Sequence, residues 1–262
     1  MPQDKQVEAD LKLTIFDIIL LATAAFFAGI TNSIAGGGSF LTFPALVFTG
    51  VPTIAANATS AVAVFPGYLS GALGFLKELR EFPIRQLIVL LGLSLLGGVL
   101  GSLLLLVTPA SVFSAVVPWL LGFATFVFAL GNRISAWAER NVKAEGFTGN
   151  FATLLVCVYG GYFNGGLGIV LLALFSALGM RDINLMNGLK NGMSFVLSGA
   201  SVVTFALAGI VYWPQAILMM VAATIGGYSG AIVARRLSAS AVRAIVVCIG
   251  VAMTIVFAIR DA

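Results

Sequence analysis

Long apolar runs separated by short charged turns make up most of this chain. They cover about 13–35, 53–75, 87–107, 111–130, 150–165, 184–209, 212–234 and 239–259. Most approach the ~20 residues an α-helix needs to cross a ~30 Å hydrocarbon core. Two further runs, 39–50 and 169–179, are too short. At 1.5 Å per residue each would rise about 16–18 Å, roughly half of that core. The pattern predicts an all-α polytopic membrane protein with eight long and two short transmembrane elements, the short ones being half-helices or re-entrant pieces.

The charged stretches set the expected orientation. They are 76–86 with Lys77, Arg80 and Arg85, 131–149 with Arg133, Arg140 and Lys143, the turn at Arg181, and Arg235-Arg236. If all of these face the cytoplasm, the short runs count as crossings and both termini lie outside. The acidic neighbours Glu78, Glu81, Glu139 and Glu145 do not weaken this reading, because the rule counts Lys and Arg rather than net charge. Residues 1–12 form a polar tail without the basic n-region and cleavage site of a signal peptide. The expected organisation is that tail, a first transmembrane repeat over 13–130, a cytoplasmic linker over 131–149 and a second repeat over 150–262.

The halves resemble each other in sequence. Residues 97–130 set against 226–259, at an offset of 129, give eleven identities in thirty-four positions. These include Gly97/Gly226, Gly98/Gly227, Gly101/Gly230 and Val127-Phe128-Ala129 against Val256-Phe257-Ala258. Earlier in each half an offset of 130 pairs Gly36 with Gly166, Gly38 with Gly168 and Asn57 with Asn187. Five elements per half is an odd number, so the second copy enters from the opposite face. That is the inverted-repeat plan of many secondary transporters, which hold substrate near the midplane between broken helices.

Composition narrows the function. Of 262 residues, 60% are hydrophobic and 9% charged, against about 25% charged in a soluble domain. The chain has no histidine, so a Ser-His-Asp triad and the common His-ligated zinc sites cannot be built. An enzyme is not expected, and no cofactor or metal is called for. Cys157 and Cys248 lie within apolar runs and read as structural thiols. A net charge of +4 from scattered basic residues reads as a topology signal rather than a nucleic-acid surface. The expected partners are the lipid bilayer and a small anionic substrate, and a homodimer is a permitted assembly.

Candidate chemistry gathers where polarity interrupts the apolar runs. In the first half Asn32 is followed by Gly36-Gly37-Gly38-Ser39, and in the second Asn164-Gly165-Gly166 is followed by Gly168. Consecutive glycines let backbone N–H groups converge on a ligand, and a helix beginning just after them adds a positive dipole end. By contrast, Gly97-Gly98-x-x-Gly101 reads as close helix packing. Lys190 lies about a third of the way into 184–209, where a lysine costs on the order of 3 kcal/mol. Asn187, Asn191 and Ser194 share its helical stripe. Asn57, Thr59 and Ser60 hold the matching place in the first half. Asp17 and Arg243 are near span ends and read as interfacial. The spans hold too few carboxylates for a side-chain proton relay.

The stretch from Asn32 to Pro44 with its three glycines, the following Ala56-Asn57-Ala58-Thr59-Ser60, and the repeat of that plan over 161–194 resemble the sulfite exporter TauE/SafE family of membrane permeases. The resemblance covers nearly the whole chain. It implies a transporter of the bacterial cytoplasmic membrane that exports a sulfur-containing oxyanion such as sulfite, sulfoacetate or another organosulfonate. The glycine breaks would cradle the anion, Asn57, Asn187 and Asn191 would orient it, and Lys190 would neutralise it. An anion channel or a non-transporting membrane subunit are the alternatives.

Overall fold

The structure is a computed structural model that describes residues 13–34, 37–141, 146–233 and 239–260. Every element among them is helical: α1 (Ile15–Ile34), α2 (Ser39–Phe48), α3 (Thr53–Leu73), α4 (Leu76–Glu81), α5 (Ile84–Val107), α6 (Ala110–Asn141), α7 (Gly146–Tyr162), α8 (Leu167–Ala177), α9 (Ile183–Leu207), α10 (Trp213–Val233) and α11 (Ala239–Arg260). The segments α1, α5 and α6 supply, within Ile15–Asn32, Ile84–Val107 and Ala110–Gly131, stretches long and apolar enough to cross a membrane. The helices α3 and α9 are of similar length, but Asn57, Thr59 and Ser60 in one and Asn187, Lys190 and Asn191 in the other interrupt their apolar character.

The element boundaries follow the apolar runs closely, with two differences. The charged stretch 76–86 contains the short helix α4, which packs against the start of α9 through Phe75 and Leu79 beside Gly188. The helix α6 continues to Asn141 and α7 begins at Gly146, so much of the expected linker over 131–149 is helical. The glycines in left-handed conformation before the short helices are Gly37 (φ 90°) and Gly166 (φ 70°), and those after them are Gly50 (φ 86°) and Gly179 (φ 81°). Both pairs are 129 residues apart. The polar tail 1–12, Gly36, Lys143, Glu145, Arg235-Arg236 and the side chain of Arg243 lie outside the described residues.

Two helix pairs form the frame, α1 with α10 and α5 with α7. Both meet through glycine. A Cβ on Gly226 would lie 1.9 Å from the Phe26 carbonyl oxygen, and one on Gly29 2.1 Å from that of Ala223. In the other pair, a Cβ on Gly97 would be 2.3 Å from that of Cys157, and one on Gly101 2.2 Å from the Val158 carbonyl oxygen. Backbones can approach this closely only where side chains are missing. Gly97 and Gly101 thus perform the packing role their spacing predicts, and Cys157 is a buried free thiol that donates to Ser94 Oγ at 3.7 Å.

Between the two pairs α3 crosses α9, and α6 packs on α11 and α8. The order of contacts shows that α3 and α9 run in opposite directions, because Phe65 stacks on Phe195 at 4.8 Å while Gly71 lies against Asn191. Polarity is inverted relative to a water-soluble protein. Leu95, Leu103, Trp119 and Phe126 are exposed, whereas Ser94, Ser102, Thr59 and Ser198 are fully enclosed. A hydrocarbon solvent favours this arrangement, since polar groups find hydrogen-bond partners only inside the protein. Asp17, at the start of α1, is explained by capping: Thr14 N–H and Oγ1 donate to its carboxylate at 3.0 and 2.7 Å.

The two ends of the molecule differ in charge. The starts of α5 and α7 and the residues after α8 line one cavity together with Arg85. The short helix α8 therefore turns back toward the end from which α7 enters. Lys77 and Arg80 on α4, and Arg181 ahead of α9, belong to this basic end. The end of α2 and the starts of α3 and α6 meet Phe257 of α11 at the opposite end.

Replacing Gly226 by Leu should destabilise the protein by about 1–3 kcal/mol, the usual cost of forced overpacking, because the opposing group is backbone. Gly92→Ala, with nothing within 4 Å of the added carbon, should leave stability unchanged or raise it by up to about 1 kcal/mol. Thermal unfolding in detergent compares the two.

Candidate functional site

Each helix interruption leaves backbone groups without intrahelical partners, and polar side chains from other elements satisfy them. At the first break the Gly38 N–H donates to Asn32 Oδ1 at 2.7 Å, so Asn32 caps α2 across the gap. Thr42, one turn into α2, shares a hydrogen bond of 2.6 Å with Ser60 on α3. Ser39 is buried beside them. At the second break Asn57 Nδ2 donates to the Tyr162 carbonyl at 2.9 Å, tying α3 to the end of α7. Tyr159 donates to the Gly165 carbonyl at 2.5 Å. Thr59 Oγ1 accepts from the Tyr212 N–H at 3.1 Å, which joins α3 to the start of α10.

Asn164 lies in the second break and is 6% exposed. Its Oδ1 accepts from the Tyr68 hydroxyl at 3.2 Å and its Nδ2 donates to Ser198 Oγ at 3.3 Å, so one amide joins α3, α9 and the gap before α8. Gly166 leads directly into α8 and Gly168 occupies its first turn. The short helix therefore opens its N-terminal end beside Asn164.

The helix α9 carries the charge. Lys190 is 6% exposed and, among the described residues, is the one buried ionisable side chain that is cationic or carboxylic. Its Nζ donates to Asn187 Oδ1 at 3.0 Å, and no carboxylate of the described residues pairs with it. Four residues on, Ser194 is 1% exposed and its hydroxyl has no hydrogen-bond partner. Four further on is Ser198, bonded to Asn164. Residues at i, i+4 and i+8 share one helix face. That face therefore runs from a buried cation, past an unused hydroxyl, to the amide of the second break.

The sixteen positions predicted from sequence do not meet at one point. Lys190, Asn187 and Ser194 share the α9 stripe that leads to Asn164, with Gly165, Gly166 and Gly168 next to it in the chain. Asn191 turns toward α3, where a Cβ on Gly71 would lie 2.8 Å from its amide. Asn57, Thr59 and Ser60 are at the other end of α3. Asn57 and Gly71 are separated by fourteen residues, about 21 Å of helix, so one small anion cannot touch both Asn57 and Asn191 at once. Asn32, Gly37, Gly38 and Ser39 build the first break, with Gly36 outside the described residues. Sequence reasoning missed Tyr68, Ser198 and Tyr159. Ser198 was within reach of it, since extending the stripe from Lys190 and Ser194 by one more turn lands there.

An all-helical membrane protein with a polar interior and an unpaired internal cation belongs with proteins that pass polar solutes, the class of membrane transporters. Within that class the chain belongs to the family described as Sulfite exporter TauE/SafE, whose family model matches residues 21–257. It is 28% identical over 240 residues to a "Probable membrane transporter protein" of Haemophilus influenzae, covering 90% of this chain and 92% of that protein. It is 25% identical over 239 residues to "Probable membrane transporter protein ORF9" of Sinorhizobium sp, covering 91% of each. It is 24% identical over 245 residues to "Probable membrane transporter protein YfcA" of Escherichia coli K12, covering 90% of this chain and 87% of that one. No solved structure matches the chain.

Two substitutions separate scaffold from site. Asn57→Leu strands the Tyr162 carbonyl and should cost about 1–3 kcal/mol of stability. Ser194→Ala removes a hydroxyl that bonds to nothing and should leave the melting temperature unchanged or slightly higher while weakening transport. Thermal unfolding and flux measured on both variants test the contrast.

Proposed function

We propose that this protein exports a small sulfur-containing oxyanion, such as sulfite, sulfoacetate or another organosulfonate, across the bacterial cytoplasmic membrane by alternating access. The observation that carries this reading is Lys190, a buried cation with no carboxylate partner among the described residues, followed on its face by the unbonded Ser194. A charge left unpaired in a low-dielectric interior is costly, and an anionic solute bound beside it offsets that cost. A tetrahedral or pyramidal oxyanion uses several donors together. Lys190 and Ser194, one turn apart, offer an ammonium and a hydroxyl, and the Asn164 amide beside Ser198, about 12 Å of helix beyond Lys190, is a further donor along the same face.

In the architecture we infer, the two halves are inverted repeats and all ten principal helices cross or enter the bilayer. Packing supports this: α1 pairs with α10 as α7 pairs with α5, while α3 meets α9 and α6 meets α11 as corresponding partners. Helix starts support it too. Those of α5 and α10 are 129 residues apart, and those of α3 and α9 are 130 apart. Phe65 and Phe195, also 130 apart, stack on each other where α3 crosses α9, as residues on a pseudo-two-fold axis would. The positive-inside rule assigns the basic end, with Lys77, Arg80, Arg85 and Arg181, to the cytoplasm.

The test is saturable counterflow of sulfite and of sulfoacetate in proteoliposomes. The unmodified protein should show it, and Lys190→Met, which keeps length and removes charge, should lose at least about tenfold in flux, the equivalent of ~1.4 kcal/mol. Linear, non-saturable flux would point to a pore instead. Equal flux in both proteins would remove Lys190 from the path.

A further inference from the structure

Two corresponding corners of the molecule are in opposite states. At the basic end the starts of α5 and α7 and the residues after α8 surround a cavity of about 440 Å³, with Arg85, Gln86, Asn150 and Thr153 among its lining groups. Arg85 is exposed, and no carboxylate of the described residues pairs with it. Across the molecule the corresponding corner is formed by the start of α10 and the end of α2. At an offset of 129, Gln215 stands where Gln86 stands, Met219 where Leu90 does, and Val51 where Met180 does.

The states of these residues differ. Gln86 is exposed and lines the cavity, while Gln215 is 2% exposed and its Oε1 has no hydrogen-bond partner. Val51 and Met219, at 2% and 0% exposed, belong with Phe43 and Phe113 to the main apolar cluster, and the cavity that Val51 lines at this end is only about 150 Å³. An amide oxygen buried without a partner is costly, and water would satisfy it in an open corner. The second difference is charge, since Pro214 occupies the place of Arg85. Leu90 on the cavity wall shares an apolar cluster with Met186 and Leu189, the turn of α9 next to Lys190.

We propose that the Arg85 cavity is a loading vestibule for a small anion, open here, and that the corner around Gln215 is its closed, uncharged counterpart, which opens as the Arg85 cavity shuts. This rests on the carrier reading above and adds sidedness to it. The anion is collected at the basic corner with the help of the Arg85 guanidinium and released past the corner where Pro214 stands in its place. The asymmetry affects the apparent affinity at each face and leaves the driving force to the solute gradient.

Sidedness is measurable in oriented proteoliposomes. The Arg85→Gln variant should raise KM for sulfite added at the basic face about tenfold, the worth of ~1.4 kcal/mol, and leave KM at the other face unchanged. Arg85→Lys should restore most of the difference. On a background with Cys157→Ser and Cys248→Ser, a membrane-impermeant maleimide should label Q86C from the basic face at rest. Q215C should resist labelling at rest and react from the opposite face during sulfite counterflow. Equal KM changes at both faces, or no change at either, would overturn the vestibule while the carrier stands. So would resting Q215C that labels as fast as Q86C. A defect in Arg85→Gln seen only with phosphatidylglycerol in the bilayer would assign the site to a lipid headgroup and overturn the loading role. Absence of sulfite and sulfoacetate flux in the unmodified protein would sink the carrier reading by itself, and the resting labelling comparison would still decide whether the corners differ.

Discussion

A helix interrupted inside a hydrocarbon solvent must find partners within the protein for the backbone groups it exposes, because lipid offers none. This chain is interrupted twice, and much of its internal polarity follows from that requirement. Asn32 reaches across the first gap to the Gly38 N–H, Asn57 takes up the Tyr162 carbonyl at the edge of the second, and Tyr159 takes up the Gly165 carbonyl. These bonds also fix helices to one another. The helix α3 is held to α7 through Asn57, to α10 through Thr59 and to α2 through Ser60. Removing one such group therefore loosens a junction as well as losing a hydrogen bond.

Such a polar centre needs a rigid surround, and the glycine contacts of α1 with α10 and of α5 with α7 provide it. Backbone-to-backbone packing gains dispersion contacts that lipid cannot match and leaves no side chain free to rearrange. With those pairs fixed, α3 and α9 carry residues that would be unfavourable on a lipid-facing helix. Lys190 is the extreme case. Its ammonium donates a hydrogen bond to Asn187 Oδ1, which offsets part of the cost of its burial.

The long helices were legible because hydrophobicity is a local property and a hydrocarbon slab imposes a length on it. Runs predicted at 53–75 and 184–209 are helices Thr53–Leu73 and Ile183–Leu207. The short runs 39–50 and 169–179 are Ser39–Phe48 and Leu167–Ala177. Where hydrophobicity stops but the backbone continues, the reading fell short. The helix α6 runs beyond Leu130 to Asn141 through a segment containing Arg133, since charged residues end a membrane segment without ending a helix. The helix α4 was hidden for the same reason. Which glycines turn the chain at the two breaks is a matter of backbone conformation, and Gly37 and Gly166 are left-handed there.

The candidate site was legible as a set of residue types and only partly as a place. Polarity where lipid forbids it singled out Lys190, Ser194, Asn164 and Asn57 from the sequence alone, and a shared helix face joined the first two. The sequence by itself determined the lipid solvent, the places of the ten principal helices and the sign of the internal charge, all consequences of local composition and periodicity. Only the tertiary structure decided that Asn57 supports the second break, that Asn191 faces Gly71, and that Ser194 alone on the α9 stripe keeps a free hydroxyl. Those outcomes depend on how α3 crosses α9, and a crossing is set by contacts between residues more than a hundred positions apart, such as Phe65 and Phe195.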